Sequence, residues 1–304
     1  EFKEVERFTT TVANAYIMPR INNYFLHLER ELCTRFGIEQ LYIMQSDGGI
    51  SDLQDAQKAP IKLSLSGPSA GVTAAATIAQ HAGYENIITL DIGGTSADVS
   101  LIKNGAPQTT YVLQIGDYLL KIPTLDIHTI GSGGGSIATS QDGLMVVGPQ
   151  SAGALPGPAS YGHGGPATVT DANVALDRIP SGESFNGTIS LNKNAAKRAI
   201  ASIAQELDLY QEKVTAGILA ITNANVGTAI NRISLERGED PRDFILVAYG
   251  GAGGLHAAEI AELLDLGAAL VPANPGTLCA RGLLMANHTA HFSQSVLLNL
   301  EDQN

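Results

Sequence analysis

Asp91-Ile92-Gly93-Gly94-Thr95-Ser96-Ala97-Asp98 sets two acids around two glycines and two hydroxyl residues, directly after an apolar run. A strand that turns on Gly93, Gly94, Thr95 and Ser96 exposes backbone N–H groups and hydroxyls in a tight bend, and such a bend cradles phosphate oxygens. Asp91, at the strand end, suits a divalent cation held directly or through water. Asp98, where the chain returns, suits the orientation of water or metal. An ordinary hairpin whose acids bond to backbone satisfies the same spacing. No Lys-Ser/Thr follows the glycines, so this is not a Walker A loop. The spacing also differs from the dinucleotide fingerprint, and a strand rather than a helix follows.

Gly250-Gly251-Ala252-Gly253-Gly254 lies between an apolar run, Phe244–Ala248, and a helical pattern, Leu255–Leu264. It suits either an anion at a helix start or a bare turn; Gly250, Gly251 and Gly253 are its candidate ligand-facing positions. Asp126 and His128 are two apart and would share one face of a strand, where both could reach a second divalent metal. His163, in a glycine-rich loop, is a distant third donor. Gly131–Gly135 contains four glycines and suits a binding or hinge role. His256 reads as a capping or buried histidine, and Cys33 and Cys279 as packing residues.

The elements that must position these groups alternate. Thr9–Phe36 reads as a helix with Pro19 as a kink or break and Gly37 as its stop. Gln40–Met44 is a short strand and Asp52–Gln57 a short helix. A longer helix opens at Gly67-Pro68-Ser69 and runs to Gly83. Asn86–Asp91 and Ala97–Ile102 are strands, and Asn104-Gly105 is a hairpin turn. Thr109–Ile115 and Tyr118–Ile122 add strands. Ser136–Thr139 and Leu144–Val147 form a hairpin about Asp142-Gly143. Thr170-Asp171 caps a helix through Leu176. Asn192–Leu207 and Tyr210–Arg237 are long helices. Ala268–Val271 is a strand, and Gly276–Ala290 a helix. The pattern predicts an α/β fold with a mixed sheet.

The 304 residues suffice for one large or two smaller domains. Glycine supplies 33 of them, about 11% against a usual roughly 7%, and clusters in the loops above. A net charge of −12 disfavours nucleic acid and anionic membrane as partners. Two distant cysteines and no signal-like segment suggest a reducing, cytoplasmic setting. The chain begins at Glu1, which suggests a processed chain or a fragment of something longer.

A series of motifs extends this reading. YIMQSDGG at Tyr42–Gly49, LSGPSAGV at Leu65–Val72, DIGGTSADVSLI at Asp91–Ile102 and LDIHTIGSGGGSI at Leu125–Ile137 occur in order. VGPQSAGALPGPASYGHGG at Val147–Gly165, VTDANVALDRI at Val169–Ile179, ERGEDPRDFILVAYGGAGGLHAAEIA at Glu236–Ala261 and PGTLCARGLLMA at Pro275–Ala286 follow. The chain resembles the hydantoinase A / 5-oxoprolinase family over nearly its whole length, so residues 1–304 read as a hydantoinase A-like domain.

The resemblance implies an actin/Hsp70/sugar-kinase-like, ribonuclease H-like ATPase fold. Its main nucleotide-binding lobe would span residues 84–290, with inserted loops over 123–168. It implies ATP and Mg²⁺ as cofactors, Asp91 and Asp98 as catalytic acids, and Gly93, Gly94, Thr95, Ser96, Gly250, Gly251 and Gly253 around the nucleotide. Asp91 would hold Mg²⁺; Asp126 and His128 would hold any second metal. Leu65–Val72 and Pro275–Ala286 would be close-crossing segments that connect lobes. The expected activity is ATP-dependent hydrolysis of a cyclic amide, such as hydantoin or 5-oxoproline, through phosphorylation of the carbonyl oxygen. A noncatalytic nucleotide-binding or assembly subunit, a subunit of an ATP-dependent ketone carboxylase and a sugar-kinase-like enzyme are the alternatives. Family members begin with a lobe carrying a first Asp-x-Gly-Gly-Thr motif, which this sequence lacks. That lobe, from a longer precursor or another chain, and a hydantoinase B-like subunit are the expected partners. Gly254 replaces a usual proline, and Ala97 a usual threonine; neither change removes an acid.

Overall fold

The computed structural model describes residues 3–182, 184–185 and 189–292. Helix α1 (Glu4–Phe36) opens the chain. An antiparallel pair, β1 (Tyr42–Met44) and β2 (Ile50–Asp52), leads into α2 (Leu53–Lys58) and α3 (Ser66–His81). The hairpin β3 (Ile87–Ile92) and β4 (Ala97–Lys103) precedes β5 (Ala106–Pro107). Short strands β6 (Thr109–Thr110), β7 (Leu113–Ile115), β8 (Tyr118–Leu120) and β9 (Thr124–Leu125) come next, then β10 (Ile127–Ile130). A second hairpin, β11 (Ser136–Gln141) and β12 (Leu144–Ser151), is followed by α4 (Val169–Ala175), β13 (Ser184–Phe185) and β14 (Ile189–Ser190). Then come α5 (Lys193–Glu206), α6 (Gln211–Glu236), β15 (Ile245–Tyr249), α7 (Gly250–Leu263), β16 (Ala269–Leu270) and α8 (Leu278–Gly282).

The chain forms two compact units: Glu1–Ala74 with Pro107–Asp126 and Cys279–Asn304, and Ala75–Ala106 with Ile127–Leu278. In the first, α1 ends at Gly37 in the left-handed conformation, as its sequence predicts. It runs through Pro19 without breaking. Val12 and Tyr16, two of the apolar residues whose helical spacing predicts α1, are 65% and 85% exposed, so the spacing specifies the helix but not its burial. Cys33, expected to pack, is exposed. The expected close crossing is present within this unit: a Cβ on Gly282 would lie 1.9 Å from the Ala70 carbonyl oxygen. The helix expected over Gly276–Ala290 is shorter. Beyond Gly282 the chain turns back to pair with the first unit's sheet: Ile50 N–H donates to the Asn287 carbonyl, and Thr289 N–H to the Ile50 carbonyl.

The second unit holds a mixed sheet in the order β10-β4-β3-β15-β16, with β5 paired to β4. β10, β4 and β3 are antiparallel to one another; β3, β15 and β16 are parallel. The residues of β15 are buried throughout, as central strands covered on both faces require. One core joins this sheet to α6 and α7 through Leu90, Val99, Leu246, Ile230 and Ile260. Another joins the β11–β12 hairpin to α4, α5 and the start of α6 through Val147, Val169, Ile200 and Ile218. Helix α6 therefore belongs to both cores, and the loops between them converge on the end of β3. None of the described helices is long and apolar enough to cross a membrane.

Candidate functional site

The β3–β4 hairpin turns at Gly93–Ser96, where the spacing places it. Gly93 N–H donates to the Ser96 carbonyl at 3.0 Å, so this amide is occupied within the turn. The carbonyls of Gly93 and Gly94 accept from Gly134 and Gly135 N–H at 2.9 and 2.6 Å. The N–H groups of Gly94 and Thr95 donate to no acceptor among the described residues. Fixed carbonyls on one side and available amides on the other form an anion cradle.

Strand register places Asp98 opposite Asp91, Asp91 beside Tyr249, and Thr129 beside Asp98. Both carboxylates thus share one sheet face at the turn, an arrangement that is unfavourable for like charges without a cation. Their oxygens are the hard donors that Mg²⁺ takes. Burial raises the Asp98 pKa, and a 2.6 Å hydrogen bond from the Thr129 hydroxyl offsets part of this. An acid shifted upward at a cleft suits proton transfer to or from water.

Gly131–Gly135, expected to bind or hinge, is a buttress for this hairpin. A Cβ on Gly133 would lie 2.7 Å from Ser96 N and 2.8 Å from Thr95 N. Behind it, the Gly134 carbonyl accepts from both Thr170 N–H and its hydroxyl. Thr168 rather than Thr170 is the N-cap of α4, and Asp171 completes its capping box. Asp171 is fully buried and also accepts from Ala159 and Ser160 N–H, at 3.0 and 2.7 Å. One carboxylate therefore ties the glycine- and proline-rich loop to α4. Ala159 N–H keeps a second acceptor in the Pro166 carbonyl, but Asp171→Ala removes the carboxylate that accepts from the buried Ser160 and Thr168 amides. It should cost about 3 kcal/mol in a urea titration, while an Asn at this position recovers only part of that.

The segment expected as a glycine turn after β15 is instead the first turn of α7, which starts at Gly250. Gly253 is buried, with a would-be Cβ 3.4 Å from the Leu90 carbonyl oxygen, so it packs the helix onto the sheet. Gly250 abuts Asp91. Gly251 alone of the three predicted positions lines a cavity. A Cβ there would meet no protein atom within 4 Å, although Ala is about 1 kcal/mol better than Gly in a helix interior. The cavity, about 160 Å³, is also lined by Gly93, Gly94, Gly134, Asn173 and Leu255. A wider depression of about 650 Å³ lies at the amino end of β15, around Glu239–Arg242, away from the hairpin. In open α/β sheets ligands bind beyond the carboxyl ends of strands, which favours the smaller cavity.

His256 is fully buried on α7, as one of its two expected readings has it. Asn223 Nδ2 donates to Glu259 Oε2 at 2.5 Å, so Asn223 Oδ1 faces His256 Nδ1, at 2.7 Å, and the proton sits on Nδ1. Burial lowers the pKa of His256 from 6.5 to about 4. The unfolded chain therefore binds more protons between these values, and stability falls as pH drops from 6.5 towards 4. Urea unfolding at pH 7 and pH 5 should show a loss of up to about 2 kcal/mol from this group, absent in His256→Gln.

Of the two residues expected to hold a second metal, Asp126 lies just before β10 and His128 on it. His128 lies on β10, paired with Val99, and its Nε2 is 3.4 Å from the Arg237 guanidinium. Asp126 precedes the strand and belongs to the first unit. No group of three or more His, Cys, Asp or Glu among the described residues could hold a metal ion. His163 is an exposed loop residue.

A mixed sheet with a glycine hairpin between two acids, a second cored subdomain and a glycine helix start facing it define a lobe of the actin/Hsp70/sugar-kinase-like fold. The chain belongs to the hydantoinase/oxoprolinase family, whose profile it matches over residues 7–292. It is 37% identical over 307 residues to caprolactamase subunit alpha of Pseudomonas jessenii, covering 100% of this chain and 44% of that protein. The crystal structure of the ATP-dependent caprolactamase from Pseudomonas jessenii superposes with a TM-score of 0.80 at 37% identity, over 93% of this chain and 41% of that one. A nucleotide-free acetone carboxylase structure gives 0.79 at 27% identity, over 94% and 41%. The chain spans less than half the length of these relatives.

Proposed function

We propose that the second unit binds ATP with Mg²⁺. The terminal phosphates lie on the Gly94–Thr95 amides and the Ser96 hydroxyl, and Asp91 and Asp98 hold the cation. Mg²⁺ would neutralise charge that develops on the phosphoryl oxygens. The observation that carries this reading is a cavity lined by Gly94 and by Gly251, whose bare backbone no protein atom requires, at the turn of a hairpin whose two acids lie in register. Asp98, with its raised pKa, orients water or a water on the cation.

In the whole protein, a facing lobe and a hydantoinase B-like partner complete the site. ATP there activates an amide or lactam carbonyl by phosphorylating its oxygen. Water then attacks the carbon, the ring C–N bond opens, and ADP and phosphate are released. The likeness to a caprolactamase subunit at 37% identity favours a cyclic amide. The likeness to acetone carboxylase supports a second reading, ketone activation before carboxylation. ADP release by the whole protein separates them. Stimulation by caprolactam, 5-oxoproline or hydantoin, with one ring-opened acid formed per ADP (an amino acid from the lactams, an N-carbamoyl amino acid from hydantoin), supports the first. Stimulation by acetone that requires bicarbonate supports the second. Phosphorylated substrate accumulating with neither would contradict both.

A further inference from the structure

The cavity beside the hairpin is small against the roughly 300–1,000 Å³ of a pocket that holds a whole ligand. It suits a ring, with the rest of the ligand extending over Gly93 and Gly94. One wall carries Tyr161, Ile179 and Leu191, from a small apolar cluster with Val174 and Ala196, and α7 supplies Leu255. These are apolar or amphipathic surfaces of the kind that flank a flat heterocycle.

One polar group in this wall is unexplained by the protein. Asn173 is 1% exposed and lines the cavity. Its Nδ2 donates to the Val169 carbonyl at 3.1 Å, while its Oδ1 has no hydrogen-bond partner among the described residues. A buried acceptor left unpaired costs about 1–3 kcal/mol. The amide cannot flip to relieve this, because flipping would set Oδ1 against the Val169 carbonyl. The backbone is fixed as well: the Asn173 carbonyl accepts from Arg178 and Ile179 N–H. The site thus holds a rigid, desolvated acceptor that awaits a donor.

We propose that Asn173 is the base-selecting residue of the nucleotide site, accepting a hydrogen bond from an exocyclic amine of the adenine type and disfavouring a guanine-type carbonyl. The proposal rests on the nucleotide reading above. A ring amine supplies the missing donor. A ring carbonyl at the same position leaves two acceptors facing each other in a dry pocket. A site built around a buried hydrogen-bonding group rejects ligands that leave it unpaired more strongly than an apolar pocket rejects a change of shape.

Titration of the 304-residue chain with the Mg²⁺ complexes of ATP, GTP and purine riboside triphosphate, which lacks the amine, tests this directly. The expected result is ATP tighter than the amine-free analogue by about tenfold, and tighter than GTP by more. In Asn173→Leu, which keeps the branched shape with larger methyl ends, ATP and the analogue should bind within twofold of each other. Near-UV circular dichroism reports whether that variant keeps its packing; the comparison of ATP with the analogue on the unsubstituted chain stands without it. ATP binding that does not distinguish the analogue in the unsubstituted chain, or equal discrimination in a folded Asn173→Leu, overturns the role of Asn173 and leaves the nucleotide site standing. Failure of all three nucleotides to bind both this chain and the whole protein overturns the nucleotide reading itself.

Discussion

Gly250→Ala should unfold the nucleotide site while its neighbour Gly254→Ala changes almost nothing. Gly250 has φ 82°, a left-handed conformation that costs a side-chain-bearing residue roughly 1–2 kcal/mol. Its missing Cβ would also lie 2.1 Å from Asp91 Oδ1 and 2.5 Å from the Ile92 carbonyl oxygen. Overpacking of this kind adds about 1–3 kcal/mol, because backbone or the functional acid must move. Together these amount to roughly 3 kcal/mol or more in chemical denaturation, with at least a hundredfold loss of Mg²⁺-ATP affinity in the protein that still folds. At Gly254, the nearest atom to a Cβ would be a Val271 methyl at 3.4 Å. Gly251→Ala is the informative middle case. It should keep full stability and lose nucleotide affinity, because the space it fills belongs to the cavity.

Gly133→Ala should have the second largest effect, although Gly133 is some distance in sequence from the residues it disturbs. The new methyl meets Ser96 N, Thr95 C and Thr95 N, all within 2.8 Å. Backbone in a hydrogen-bonded hairpin does not yield as a flexible side chain does. Either β4 shifts or the glycine loop lifts away, and with it go the bonds from Gly134 and Gly135 that fix the Gly93 and Gly94 carbonyls. The cost should be about 1–3 kcal/mol, with phosphate affinity falling further than stability because the cradle depends on those carbonyls. Thermal melts with and without Mg²⁺-ATP would show a lower Tm and the loss of the ligand-induced increase. A normal Tm increase in Gly133→Ala would mean that the loop does not position the hairpin.

The sequence makes the β3–β4 hairpin legible because an apolar run, two glycines and a returning apolar run specify it locally. The mixed sheet follows from hairpins mingled with helices. The start of α7 is not legible. Glycines signal a turn, and only the packing of Gly253 against Leu90 shows why they begin a helix. The length of α8 is hidden for a similar reason, since residues 287–289 pair with Ile50 across most of the chain. Of the site, the two acids and Gly93–Ser96 stand out in one line of sequence. The buttress of Gly133–Gly135, the tie made by Asp171 and the acceptor on Asn173 do not. Each acquires meaning only when the second core is brought against the sheet, and Asp171 reads in sequence as an ordinary cap. At His128 the strand spacing is legible, while the Arg237 guanidinium that the fold brings to its ring is not.

The most direct measurement is calorimetric titration of the chain with ATP, with and without Mg²⁺, repeated on Asp91→Ala. Saturable binding that tightens with Mg²⁺, and that loses the Mg²⁺ dependence and at least a hundredfold in affinity in Asp91→Ala, is the predicted result. Equal affinity in both proteins, whether Mg²⁺ is present or not, would contradict the assignment of the Asp91–Asp98 hairpin as the phosphate and cation site.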